Sequence, residues 1–78
     1  MNQNLLNEVL DSLNRKRKKH RIANIDFREA NNVIRMDIDG KRFRIASLGW
    51  GHYLVEEIKG GILSSNENAH KISKELEA

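Results

Sequence analysis

Six of the seven residues in Arg15-Lys16-Arg17-Lys18-Lys19-His20-Arg21 are fixed cations, and no acid stands among them. The chemistry open to such a run is the capture of a polyanion. Packed like charges repel one another, and blocks of five or more are commonly interaction arms. A helix dipole would account for one or two cations at this place, not six. The net charge of +3 hides this localisation. Residues 1–13 carry −2, residues 14–21 carry +6, residues 22–48 carry +1 and residues 49–78 carry −2.

A second set of cations lies further on. Arg28, Arg35, Arg42 and Arg44 alternate with apolar residues, so a sheet would project them from one face, interrupted by Asp26, Asp37 and Asp39. Guanidinium forks match phosphates and guanine edges. The expected register sets Arg35 opposite Arg44, a like-charge pair that calls for an outside anion. Arg15, Lys16, Arg17, Lys18, Lys19, Arg21, Arg28, Arg35, Arg42 and Arg44 are therefore the candidate contacts to nucleic acid or to an acidic partner.

Other constellations do not reach a chemistry. Asp37-Ile38-Asp39-Gly40 imitates part of a calcium loop, but Arg35 and Ala46 stand where that loop needs ligands. Glu67 and His70 have the Glu-x-x-His spacing of carboxylate di-iron bundles, without the second motif and the further glutamates. His52 with Glu56 is an isolated pair, and three scattered histidines make no metal site. Gly49-Trp50-Gly51 and Gly60-Gly61 lack the strand–loop–helix context of a phosphate cradle. Neither a metal, a cofactor nor an enzymatic activity is expected.

The elements that must position these residues follow from periodicity. Leu5, Leu6, Val9, Leu10 and Leu13 fall on one face of a helix over residues 3–14, which either stops near Asn14 or runs on as a basic extension. Residues 22–48 alternate as a three-stranded antiparallel meander. Asp39-Gly40 marks a two-residue type I′ turn, which pairs Met36 with Phe43, Ile34 with Ile45 and Asp37 with Arg42. In the first strand Ile25 and Phe27 point inward. Trp50, Tyr53, Leu54 and Ile58 recur at helical spacing before Gly60-Gly61. A short helix is expected there, with a fourth strand as the alternative. Ser64 with Glu67 resembles a capping box for a last helix over 65–77, whose stripe is Ala69, Ile72 and Leu76. The whole is one small α+β domain spanning residues 1–78.

Three strands, a C-terminal helix and a basic open sheet face are similar in architecture to the small sheet domains with which some recombinases and plant transcription factors grip DNA. The shared local residues are Gly40-Lys41-Arg42-Phe43-Arg44. The resemblance implies contacts from the sheet face. The helix–strands–helix order is also similar to double-stranded-RNA-binding domains, but Asn66-Glu67-Asn68 stands where their last helix opens with lysines.

The leading expectation is a non-enzymatic nucleic-acid-binding accessory protein, with DNA favoured over RNA. The competing one is a small protein-binding inhibitor or adaptor, phage- or mobile-element-encoded for instance, acting on a nucleic-acid-handling protein. In that case Trp50 and Tyr53 are the candidate interface anchors, although a core role for both is the simpler expectation. Leu5, Leu6, Val9, Leu10 and Leu13 offer a face for a homodimer. Absence of cysteine and of any long apolar run fits a cytoplasmic protein without a membrane span.

Overall fold

Asn2–Asn14 form helix α1, and its apolar stripe ends at Leu13, where the next turn would have carried cations into the core. The computed structural model describes residues 2–15 and 19–77; Lys16, Arg17 and Lys18 of the basic run lie outside them. Five strands follow: β1 Ile22–Ala30, β2 Val33–Ile38, β3 Lys41–Gly49, β4 His52–Lys59 and β5 Ile62–Ser64. They make one antiparallel sheet in chain order, and helix α2, Glu67–Glu77, closes the described chain. No helix of the described residues is long and apolar enough to cross a membrane.

The three-stranded meander expected from the sequence undercounts this sheet. Residues 49–63 are not a short helix. They complete β3, form β4 and β5, and turn at Trp50-Gly51 and Gly60-Gly61. Gly60 and Gly61 have φ of 56° and 79°, the left-handed pair that a two-residue hairpin requires. The helical spacing misled because Glu57 sits on the core face of β4, buried between Val55 and the β5 hairpin, and breaks the apolar alternation. Its carboxylate accepts hydrogen bonds from Asn66 Nδ2 at 2.8 Å and Asn68 Nδ2 at 2.9 Å. The amide of Asn68, then that of Asn66, with the charges of Lys59 and Lys41, holds it below the usual glutamate range despite burial.

Within residues 33–45 the expected register is the observed one. Met36 pairs with Phe43, Ile34 with Ile45, Asp37 with Arg42 and Arg35 with Arg44. The β1 edge is less regular. Bulges interrupt its pairing on either side of Asp26, with Asn24 at φ 52°, so Ile25 and Phe27 are left more than a third exposed instead of inward. Asn31-Asn32 form the turn between β1 and β2. Helix α2 starts at Glu67, capped by Asn66, whose Oδ1 accepts the Ala69 N–H at 3.0 Å, rather than by the Ser64–Glu67 box.

Both helices pack on one face of the sheet. Leu5, Leu6, Val9 and Leu13 of α1 and Ala69, Ile72 and Leu76 of α2 meet Ile34, Met36, Ile38, Phe43, Ile45, Tyr53 and Val55. Leu10 adds to the same cluster. The leucine face of α1 is therefore covered by the chain's own sheet and needs no second copy for its burial. The other sheet face carries Arg35, Asp37, Arg42, Arg44 and Glu56, all half-buried.

Phe43 is almost fully buried at the centre of this cluster. Phe43→Ala is expected to cost about 3–5 kcal/mol, a large part of the total stability of so small a domain. Urea unfolding followed by circular dichroism measures it, and a loss below about 1 kcal/mol would contradict this packing.

Candidate functional site

The sheet arginines are each matched within the chain. Glu29, at the end of β1, takes Arg35 Nε and Nη2 on its Oε1 at 3.0 and 2.8 Å. The same carboxylate takes Arg44 Nε at 2.9 Å and Arg44 Nη2 on Oε2. Arg44 Nη1 reaches Glu56 at 3.2 Å. The Arg35–Arg44 pair is thus real, but the anion it calls for is Glu29. The two guanidiniums, Arg44 first, hold the Glu29 carboxyl down to about 2. Arg42 Nη1 donates to Asp37 at 2.9 Å and to the Asn24 carbonyl at 3.0 Å. Arg28 wraps its own neighbour Asp26 at 2.9 Å, well out in solvent. The open sheet face is an ion-pair lattice, not a free basic surface.

The end of the basic segment is arranged differently. The His20 ring is only 8% exposed and stands between two carboxylates. Its Nδ1 lies 2.7 Å from Asp39 Oδ2, and its Nε2 lies 3.1 Å from Glu75 Oε2. The Asp39 carboxylate also accepts the Arg21 N–H at 2.8 Å, and the Asp39 N–H returns to the Arg21 carbonyl at 2.9 Å. Three contacts therefore pin residues 20–21 to the β2–β3 turn, and one ties them to α2. Burial works against the charged ring, but the hydrogen bond to Asp39 and the charge of Glu75 outweigh it and raise the His20 pKa. With a proton on both nitrogens, the imidazolium donates to both sides.

This bracket borders a groove of about 620 Å³ between the β2–β3 turn and α2. Ile38, Phe43 and Ile72 form its floor, and Lys41, Lys71 and Lys74 line its rim. Lys71 and Lys74 share a side of α2 through their i,i+3 spacing, and Lys41 opens β3 directly after the turn. No described carboxylate lies within ion-pair distance of Lys19, Lys41 or Lys74, and Lys71 meets Glu67 only at 4.0 Å. Lys19 and Arg21, both exposed, adjoin His20 in the chain. Asp39 and Glu75 are already engaged by His20. The groove thus sets Lys41, Lys71 and Lys74 along a rim that also carries Asp39 and Glu75, the two acids bridged by His20.

Of the expected contacts, then, Lys19 and Arg21 adjoin His20 in the chain, and Arg28, Arg35, Arg42 and Arg44 are engaged on the far sheet face. Arg15 lies on the opposite flank of the molecule's helical layer, beside Trp50 and Tyr53. Those two part company: Tyr53 is buried in the core, whereas Trp50 is 98% exposed and the core role expected for it does not hold. His20, Lys41, Lys71 and Lys74 went unassigned. The lysine spacing on α2 was the available signal, but only the docking of α2 beside the β2–β3 turn joins it to Lys41. Among the described residues no group of histidines and acids is arranged to hold a metal ion, and the His20 contacts lie on opposite sides of the ring. Comparison with protein families, with curated proteins and with solved structures gives no match for this chain.

Two outcomes follow from these contacts. Glu29→Gln removes the anion shared by Arg35 and Arg44 and leaves Arg44 with Glu56 alone, so the variant is expected to melt below the parent. The deficit should shrink between about 0.05 M and about 1 M salt as repulsion is screened; a salt-independent deficit would point to packing instead. For His20, a raised folded pKa means that its contribution is complete below the ordinary histidine range and is lost as pH rises through the raised value. The difference in melting temperature between the parent and His20→Gln is expected to be larger near about pH 6 than near about pH 9. A difference that does not change with pH would argue against the two-sided bracket.

Proposed function

We propose that this protein is a cytoplasmic, non-enzymatic nucleic-acid-binding accessory protein. Its grip on the phosphate backbone comes from the basic segment together with the lysine rim beside His20. The observation that carries this reading is the gathering of Lys41, Lys71 and Lys74 along one groove beside His20, which Lys19 and Arg21 adjoin in the chain. Ammonium groups bind phosphates by releasing condensed counterions, and they need no sequence readout to do so. The sheet arginines, which the resemblance to sheet-type DNA binders would have used, contribute little, because each already spends its guanidinium on a carboxylate.

Duplex DNA is the favoured polyanion, and its salt dependence is the test. If about 4–6 phosphates are neutralised, log K falls against log salt with a slope of about −4 to −5, a loss of roughly 10²–10³-fold between 50 and 200 mM. Fluorescence anisotropy with a labelled duplex measures the slope. Lys41→Ala, Lys71→Ala and Lys74→Ala are each expected to reduce its magnitude by about 1. Arg42→Ala should leave it unchanged. Salt-insensitive binding, or a slope indifferent to all three lysines, would remove the reading. Binding to an acidic protein instead of DNA with the same lysine dependence would transfer the surface to the inhibitor or adaptor alternative.

A further inference from the structure

The turn between β3 and β4 presents a second surface of opposite character. Gly49, Trp50 and Gly51 all have positive φ, at 83°, 58° and 76°. Glycine is at ease there, but tryptophan is not, and asparagine would suit the position better. The indole is nonetheless held out at 98% exposure, next to Leu48 at 62%. Isolated aromatic side chains presented in this way are the usual anchors of protein interfaces. Beside the turn lies a cleft of about 470 Å³, walled by the exposed side of α1 and the end of α2.

The charges around that cleft state what would fit it. Among the described residues, Glu8 and Asp11 line it from α1 and Glu77 lines it from α2, against Arg15 as the one fixed cation. Glu77 is set in place by the Tyr53 N–H, which donates to its Oε2 at 2.9 Å, while its Oε1 faces His52 Nδ1 at 3.7 Å. An exposed indole face flanked by carboxylates is complementary to a guanidinium or ammonium group. The ring attracts the cation through its quadrupole, and the acids supply its counter-charge. We infer that the Trp50 cleft is a docking surface for an arginine- or lysine-bearing peptide segment of a protein partner. It shares no cleft-lining residue with the lysine groove, so it does not depend on the phosphate reading.

A short labelled oligo-arginine peptide, titrated into the full chain and followed by anisotropy, tests this directly. Binding is expected to saturate below about 1 mM, with no binding of an oligo-glutamate control. Trp50→Asn should weaken it by about tenfold or more, since it removes the indole. The same variant should melt at or above the parent temperature, because asparagine relieves the left-handed backbone. Loss of binding is then not loss of fold. Glu8→Gln combined with Asp11→Asn should also weaken binding, whereas Lys41→Ala, Lys71→Ala and Lys74→Ala should not. The inference is overturned if the peptide does not saturate, or if Trp50→Asn binds as well as the parent. It is overturned too if the chain alone self-associates through Trp50, which would give the cleft to a second copy.

Discussion

Both described helices cover the same face of the five-stranded sheet, and that one-sided packing governs the rest of the molecule. The row formed by Ile34, Met36, Phe43, Ile45 and Val55 is dry because α1 and α2 lie over it. Among the described residues no helix lies over the reverse face, whose side chains come from the strands themselves. They include arginines and acids in cross-strand register, and Glu29 binds two guanidiniums at once. Exposed pairs of this kind add little stability one by one, but together they keep the face neutral. Neutralising it there leaves the chain's unmatched cations at its margins.

The margins are where the backbone is least ordinary. Asp39-Gly40, Trp50-Gly51 and Gly60-Gly61 each place two successive residues at positive φ, which lets the strands reverse within two residues and follow the twist of the sheet. The edge strands are kept unattractive to further strands: β1 is bulged and bears charges, and β5 has three residues. Glu57, the buried carboxylate of β4, belongs to this architecture. Its amide partners Asn66 and Asn68 lie where α2 begins, so the pair of hydrogen bonds fastens that helix to the sheet without an ion pair.

Helix α2 then serves both charged surfaces. Lys71 and Lys74 line the groove beside His20, while Leu76 and Glu77 border the cleft beside Trp50. The groove proposed for a polyanion and the cleft proposed for a basic segment thus both border this one helix.

Much of this was determined by the sequence alone. The stripe from Leu5 to Leu13, the Asp39-Gly40 turn and the alternation through residues 33–45 each report a local periodicity, so α1 and the β2–β3 register were legible without any structure. The β4–β5 hairpin was not, because a buried glutamate disguised a strand whose partners for that acid lie on a later helix. The candidate site was legible only as charge. Counting cations along the chain marked residues 15–44, but whether a cation is free depends on which carboxylates the fold carries to it. Folding brought Glu29 to Arg35 and Arg44 and brought Asp39 and Glu75 to His20; among the described residues it left Lys41 and Lys74 with no carboxylate in ion-pair reach and Lys71 with Glu67 alone, at 4.0 Å. Ion pairing is a property of distances in space, and tertiary structure alone sets those distances.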